Sequence, residues 1–190
     1  VANISLSPDS KKVAFSGKPS IITTIDGKNI YPPKKCWDED ATDNIYIVNI
    51  DGSGFTQISD VSTDPIKHYT LYPSWSPDGR SIAFLDTGYL YLATVISTGK
   101  KPVLLSRANT GSYPKWLDGD RVAFISGHGK YGDGKIHVID VRRGNETTLG
   151  SEAVSKLGAS EGVLSPDGKK LAFMRDGKIH VIDIASGKET

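Results

Sequence analysis

The octapeptide DGKIHVID runs from Asp133 to Asp140 and again from Asp176 to Asp183. Identity of that length marks one structural unit laid down more than once. The unit is wider than the octapeptide. An aliphatic residue followed by Ala-Phe occurs at Val13-Ala14-Phe15, Ile82-Ala83-Phe84, Val122-Ala123-Phe124 and Leu171-Ala172-Phe173. A turn precedes three of these: Ser7-Pro8-Asp9-Ser10, Ser76-Pro77-Asp78-Gly79 and Ser165-Pro166-Asp167-Gly168. The remaining copy uses Leu117-Asp118-Gly119-Asp120, one residue shorter. After each Ala-Phe comes a run of β-branched, aliphatic and aromatic residues: Ile45–Ile50, Leu90–Val95, Ile136–Val141 and Ile179–Ile184. Gly-containing turns follow at Asp51–Gly54, Ser97–Lys100, Arg142–Asn145 and Ala185–Lys188. A last short strand closes three units at Phe55–Ile58, Pro102–Leu105 and Glu146–Leu149.

Each unit thus reads as four short strands joined by turns, repeating every 40–50 residues or so once insertions are set aside. The turns have a mechanism. Pro presets φ at the first corner, Asp bonds its own backbone, and Gly accepts positive φ at the exit. The strands are apolar on both faces in places, which requires cover on both sides. Four-stranded sheets stacked face to face around an axis meet that demand. The expectation is an all-β chain, a β-propeller with four recognisable blades. They fall at about residues 3–58 with an insertion at 16–44, then 72–105, 112–149 and 161–190, the last cut short.

The bulk numbers agree with one globular class and exclude others. With 23 basic and 22 acidic residues in 190, no charge excess points to nucleic acid or an anionic membrane surface. The longest apolar runs have strand length, short of the roughly 20 residues a spanning helix needs. Cys36 is the single cysteine, so no internal disulfide forms.

The Ser-Pro-Asp-Gly turn, the following aliphatic-Ala-Phe and the stretch Ile45-Tyr46-Ile47-Val48-Asn49-Ile50-Asp51-Gly52-Ser53-Gly54 resemble the WD-like β-propeller repeats of the TolB type. Trp75 and Trp116, with Leu6 and Leu164 at matching positions, fit the aromatic that this family places before the turn. The resemblance implies a ring of six to eight blades, so that this chain is part of a larger propeller. A four-bladed ring, or two half-rings closing into a dimer, are the alternatives, and open ends favour self-association. It also implies a periplasmic or secreted protein that works by binding other proteins. Similar repeats form the non-catalytic propeller of prolyl-oligopeptidase-like and tricorn-like serine peptidases. One fold thus hosts several functions.

The same strand order places every insertion at one end of the sheets: Ser16–Asn44, Ser59–Pro73, Ser126–Lys135 and Gly150–Glu161. Long loops gathered on a rigid scaffold are where binding concentrates. Trp37, Asp38, Asp40, His68, Tyr69, His128 and Tyr131 are therefore the candidate partner-binding residues. Asp38, Glu39, Asp40 and Asp43 put four carboxylates in six residues. Asp38, Asp40 and Asp43 are candidate Ca²⁺ ligands, although the central Gly and distal Glu of an EF-hand loop are missing. No other metal or cofactor is expected. His137 and His180 stand where sister units hold Tyr46 and Tyr91, which marks them as packing residues rather than a two-blade site. Cys36 with His68 as a nucleophile pair requires a tertiary contact that spacing does not supply. No Gly-x-Ser-x-Gly elbow occurs. Asn145-Glu146-Thr147 fits a glycosylation acceptor but lies in a repeat turn. The leading expectation is a non-catalytic module, not an enzyme, that recognises a protein or peptide through its looped face. The alternative is the substrate-filtering propeller of a serine peptidase whose catalytic domain lies outside this chain. A metal-dependent propeller lyase or hydrolase comes third.

Overall fold

The computed structural model describes residues 3–17, 24–25, 28–29, 44–59, 70–95, 101–108, 113–126, 135–149, 163–165, 167–175, 178–183, 185–186 and 188–189. Among these residues every regular element is a strand. The first sheet joins β1 (Ile4–Leu6), β2 (Lys12–Gly17), β5 (Asn44–Asn49) and β6 (Thr56–Gln57) in that order. Between β2 and β5 a two-residue pair, β3 (Thr24–Ile25) and β4 (Lys28–Asn29), forms a hairpin that the sequence pattern does not announce. The second sheet runs β7 (Thr70–Trp75), β8 (Ser81–Asp86), β9 (Tyr89–Thr94), β10 (Val103–Ser106). The third runs β11 (Lys115–Trp116), β12 (Arg121–Ile125), β13 (Ile136–Asp140), β14 (Glu146–Leu149). The fourth runs β15 (Val163–Leu164), β16 (Lys170–Arg175), β17 (Lys178–Asp183), with an isolated bridge from Ile182 to Glu189 in the place of a fourth strand. The chain divides into two compact units, residues 1–87 with 91–104, and residues 88–90 with 105–190.

The repeat turn sets up each sheet. Ser7 Oγ donates to Asp9 Oδ1 (2.6 Å) and accepts from the Lys12 amide (2.8 Å), while the Ser7 amide donates to the Lys12 carbonyl (2.9 Å). Ser76, Asp78 and Ser81 repeat this arrangement, as do Ser165, Asp167 and Lys170. One serine thus locks the turn and starts the second strand. The shorter third turn closes from the Leu117 amide to the Arg121 carbonyl (2.9 Å), with Asp118 accepting from the Asp120 and Arg121 amides. The exit position has positive φ, 69° at Gly79 and 67° at Gly168. In the first turn Ser10 takes φ 58° at that place, where a Cβ is unfavourable.

Strand register sorts side chains onto two faces. Phe15 pairs with Tyr46 and Val13 with Val48 on one face of the first sheet; Ala14 pairs with Ile47 on the other. The second face packs on the second sheet, where Ala14, Ile45 and Ile47 share a core with Trp75, Ile82, Phe84 and Ala93. Trp75 Nε1 donates across this junction to the Ser5 carbonyl (3.0 Å). In the second unit, Ala123, Ile125, Ile136 and Val138 of the third sheet share a core with Leu164, Leu171, Phe173 and Ile182 of the fourth. Both junctions set a Phe-bearing face on an Ala-bearing one. Burying a side chain such as Phe84 or Phe173 stabilises by about 1.5–3 kcal/mol.

One departure from the repeat lies in β7, whose pairing with β8 shifts register between Leu71 and Ser74. Pro73 has no amide to give the ladder, and Tyr72 takes φ 57°.

Two predictions follow from the turns. Ser10→Gly should stabilise the chain by up to about 1 kcal/mol, because relief of an αL side chain outweighs the added freedom of the unfolded chain; the chemical-denaturation midpoint checks this. The carboxyls of Asp9, Asp78 and Asp167 are held below the ordinary value, first by the serine hydroxyls and then by backbone amides. Each therefore binds protons more readily in the unfolded chain, so its contribution is full above roughly pH 4 and lost as pH falls through the folded value. Urea midpoints measured on acidification should drop through that window, and Asp78→Asn should flatten the drop.

Candidate functional site

The two ends of the sheets differ. At one end lie the tight turns just described. At the other, strands lead into residues 18–43, 60–69, 109–112, 127–134 and 150–162. Trp37, Asp38, Asp40, Asp43, His68, Tyr69, His128, Tyr131 and Cys36 all lie outside the described residues. The described residues at this looped end are the roots of those segments.

In the first unit the roots are polar and tied down. Ser59 Oγ donates to Asn44 Oδ1 (3.0 Å) and accepts from the Ile45 amide (2.7 Å). The Ser16 amide donates to the Asn3 carbonyl (3.1 Å), and Ser16 Oγ accepts from the Asn3 amide (3.3 Å). These bonds anchor β1, β2, β5 and β6 where the long segment leaves the sheet. In the second sheet the same end holds a buried carboxylate, Asp86, 1% exposed. Thr70 and Thr87 hydroxyls each approach Asp86 Oδ1 at 3.4 Å. Burying a carboxylate needs such donors. Thr87 takes φ 49° in the turn between β8 and β9. The sequence signal for Asp86 was present but faint. It stands at the strand end where the other units have Gly17, Ser126 and Arg175.

In the second unit the looped end opens into an apolar pocket of about 140 Å³. Tyr113, Pro114 and Lys115 line it from the start of β11, Phe124 and Ile125 from the end of β12, and Val163 and Leu164 from β15. An apolar cavity of about 150 Å³ admits a benzene ring, so this one suits a single aromatic or branched aliphatic side chain. Tyr113 is exposed at its wall and Lys115 is exposed at its edge. The sequence reading missed it, because no single segment carries it. Beside the pocket, the Ser126 amide donates to the Lys135 carbonyl (3.0 Å) and Ser126 Oγ accepts from the Lys135 amide (3.2 Å), pinching the base of segment 127–134.

The histidines of the repeated octapeptide take packing positions. His137 is buried and stacks on Phe124, centroids 5.1 Å apart and planes at 11°. Its Nδ1–H donates to Glu146 Oε1 (2.6 Å), whose Oε2 accepts from Ser106 Oγ (2.9 Å). His180 stacks on Phe173 and pairs with Glu189. In the first sheet Tyr46 fills the same slot, stacked on Phe55 at 5.0 Å and against Phe15. Tyr91 stacks on Phe84 in the second. His with Glu and Tyr with Phe are thus two solutions for one place in the sheet.

No family model matches the sequence, and no curated protein matches it. Solved structures do. The putative TolB from Agrobacterium tumefaciens aligns over 98% of this chain and 59% of its own, at 18% identity and TM-score 0.63. TolB from Acinetobacter baumannii aligns over 99% of this chain and 41% of its own, at 16% identity and TM-score 0.57. The tricorn protease aligns over 99% of this chain and 21% of its own, at 12% identity and TM-score 0.61. This chain therefore spans about half the length, or less, of the chains it resembles. At such identities the likeness establishes the fold, which is that of a β-propeller.

The paired slot makes a quantitative prediction. His137→Tyr alone should destabilise, because Glu146 loses its donor and the longer ring meets a carboxylate. Adding Glu146→Phe should recover part of the loss, with a coupling of about 0.5–3 kcal/mol in a double-mutant cycle read by denaturation.

Proposed function

We propose that this chain is a non-catalytic β-propeller binding module that takes a protein or peptide partner at its looped end. The observation that carries this reading is the apolar pocket of the second unit, open at the roots of the long segments. Its volume matches one side chain, and Tyr113 supplies an exposed aromatic wall of the kind that anchors interfaces. Lys115 at the edge favours a carboxylate beside the inserted group. The partner chemistry is then an aromatic or branched aliphatic side chain flanked by an acidic residue. Trp37, Asp38, Asp40, His68, Tyr69, His128 and Tyr131 remain the candidate partner-binding residues of this reading. Export to the periplasm or outside the cell accompanies the TolB-like reading.

A second reading is favoured by the tricorn likeness over nearly the whole chain. In it the propeller filters or positions substrates for a serine peptidase domain of the same polypeptide. Both readings use the looped end, but only the second brings a nucleophilic serine. Labelling of the native polypeptide by a fluorophosphonate would favour the peptidase reading; absence of labelling would favour the binding module.

The pocket itself is tested with a phage-displayed random peptide library selected on the purified chain. Enriched peptides should share an apolar anchor next to an acidic residue. Tyr113→Ala and Lys115→Glu should each weaken capture by roughly tenfold, the size of one lost anchor or charge contact. Enriched peptides that bind both variants as tightly as the parent would contradict the assignment.

A further inference from the structure

The two units, each taken by itself, finish the end that carries their tight turns differently. In the second unit the turn between β11 and β12, residues 117–120, is the short one. Its Leu117 packs against the core of that unit and closes on the next sheet's turn: a Cβ placed at Gly168 would meet Leu117 Cδ2 at 2.8 Å. In the first unit the corresponding turns are residues 7–10 and 76–79, and both have full length. There a Cβ placed at Gly79 would meet Pro8 Cδ at 3.8 Å, an ordinary contact. The tight closure made by Leu117 has no counterpart at Pro8, and a groove of about 350 Å³ opens between the two turns.

The lining of this groove is of two kinds. Pro8 and Pro77 are exposed, and Trp75 lies mostly covered with its Nε1–H spent on the Ser5 carbonyl (3.0 Å). These give apolar walls. Asp9 and Asp78 bring one exposed carboxylate from each turn. The Ser7 and Ser76 hydroxyls and the Lys11 and Arg80 amides all bond to Oδ1 of these residues. Oδ2 of each keeps its capacity to accept. The same bonds favour the charged form, so both carboxylates are ionised at neutral pH. Lys12 also lines the groove, but its ammonium donates to Asn49 Oδ1 of β5 (2.6 Å). Lys11 and Arg80 follow the turns and lie off the lining. Two ionised carboxylates against one engaged ammonium leave the groove negative. Apolar walls with a negative charge suit a long side chain with an aliphatic stem and a cationic head. The planar fork of a guanidinium matches carboxylates and stacks on flat apolar groups, which an ammonium does not.

We propose that this groove is a second recognition site, at the turn end of the first unit, and that it takes an arginine side chain of a protein partner. The guanidinium donates to Asp9 and Asp78, and the methylene stem lies along the prolines and Trp75. The site shares no residue with the looped-end pocket of the second unit, so each stands or falls without the other.

Proton–nitrogen NMR correlation spectra of the purified 190-residue chain test the proposal, recorded during titration with three peptides. The peptides are the capped tripeptide alanine-arginine-alanine and its lysine and citrulline counterparts. The arginine peptide should move the Trp75 Nε1–H signal and the Lys11 and Arg80 amide signals together, saturating with a Kd on the order of 1 mM. Citrulline keeps the shape and lacks the charge, so its peptide should bind roughly tenfold more weakly. The lysine peptide, without the planar fork, should also bind more weakly than the arginine peptide. Asp78→Asn keeps the Oδ1 acceptor that the turn uses and removes one charge, so it should weaken the arginine peptide roughly tenfold. Asp9→Asn replaces it if the Asp78→Asn spectrum loses its dispersion. Asp167→Asn, the same change in the second unit, should leave the affinity unchanged. Absence of saturable shifts at the three signals would overturn the proposal. So would a citrulline or lysine peptide that binds as tightly as the arginine peptide, full affinity in the aspartate variant of the groove, or an equal loss in Asp167→Asn.

Discussion

Everything in this chain depends on one packing contact between sheets, a phenylalanine laid on an alanine-centred face. Phe84 meets the face built by Ala14, Ile45 and Ile47, and Phe173 meets the one built by Ala123, Ile136 and Val138. A four-stranded sheet of such short strands has too little apolar area to stand alone. Stacking buries both faces at once. The alanine is as important as the phenylalanine, because a larger side chain at Ala14 or Ala123, each essentially unexposed, would hold the sheets apart. The tight turns serve this contact by fixing register, so that every aliphatic-Ala-Phe run presents Phe to one side and Ala to the other.

The turn end and the looped end divide the labour. At the turn end a serine hydroxyl, an aspartate and two backbone bonds settle the geometry within six residues. That economy leaves the opposite end free to vary, and there the chain places its long segments, the Asp86 carboxylate and the pocket beside Phe124 and Ile125. Irregularity concentrated at one end of a regular repeat is the arrangement on which the proposed binding role rests.

How much of this was legible in the sequence follows from range. The strands were legible because aliphatic-Ala-Phe and the turns are local patterns, and the shortened turn at Leu117–Asp120 appears as the tighter Leu117–Arg121 closure. The packing role of His137 was legible because Tyr46 and Tyr91 fill its slot. Its partner Glu146 was not, since the Nδ1 bond joins neighbouring strands on a diagonal that no motif announces. The bulge at Tyr72-Pro73 was overlooked although proline in a strand is a warning. The pocket was invisible because the wall that β15 supplies lies far along the chain from β11 and β12. The candidate binding residues Trp37, Asp38, Asp40, His68, Tyr69, His128 and Tyr131 lie outside the described residues.

The central contact is open to direct observation by methyl and aromatic NOE spectroscopy on isotopically labelled protein. The Phe84 ring should show cross-peaks to a methyl of Ala14, Ile45 or Ile47, and the Phe173 ring to a methyl of Ala123, Ile136 or Val138. Cross-peaks confined to each ring's own sheet, such as Phe84 to Tyr91 and Phe173 to His180 alone, would contradict the stacking on which the account rests.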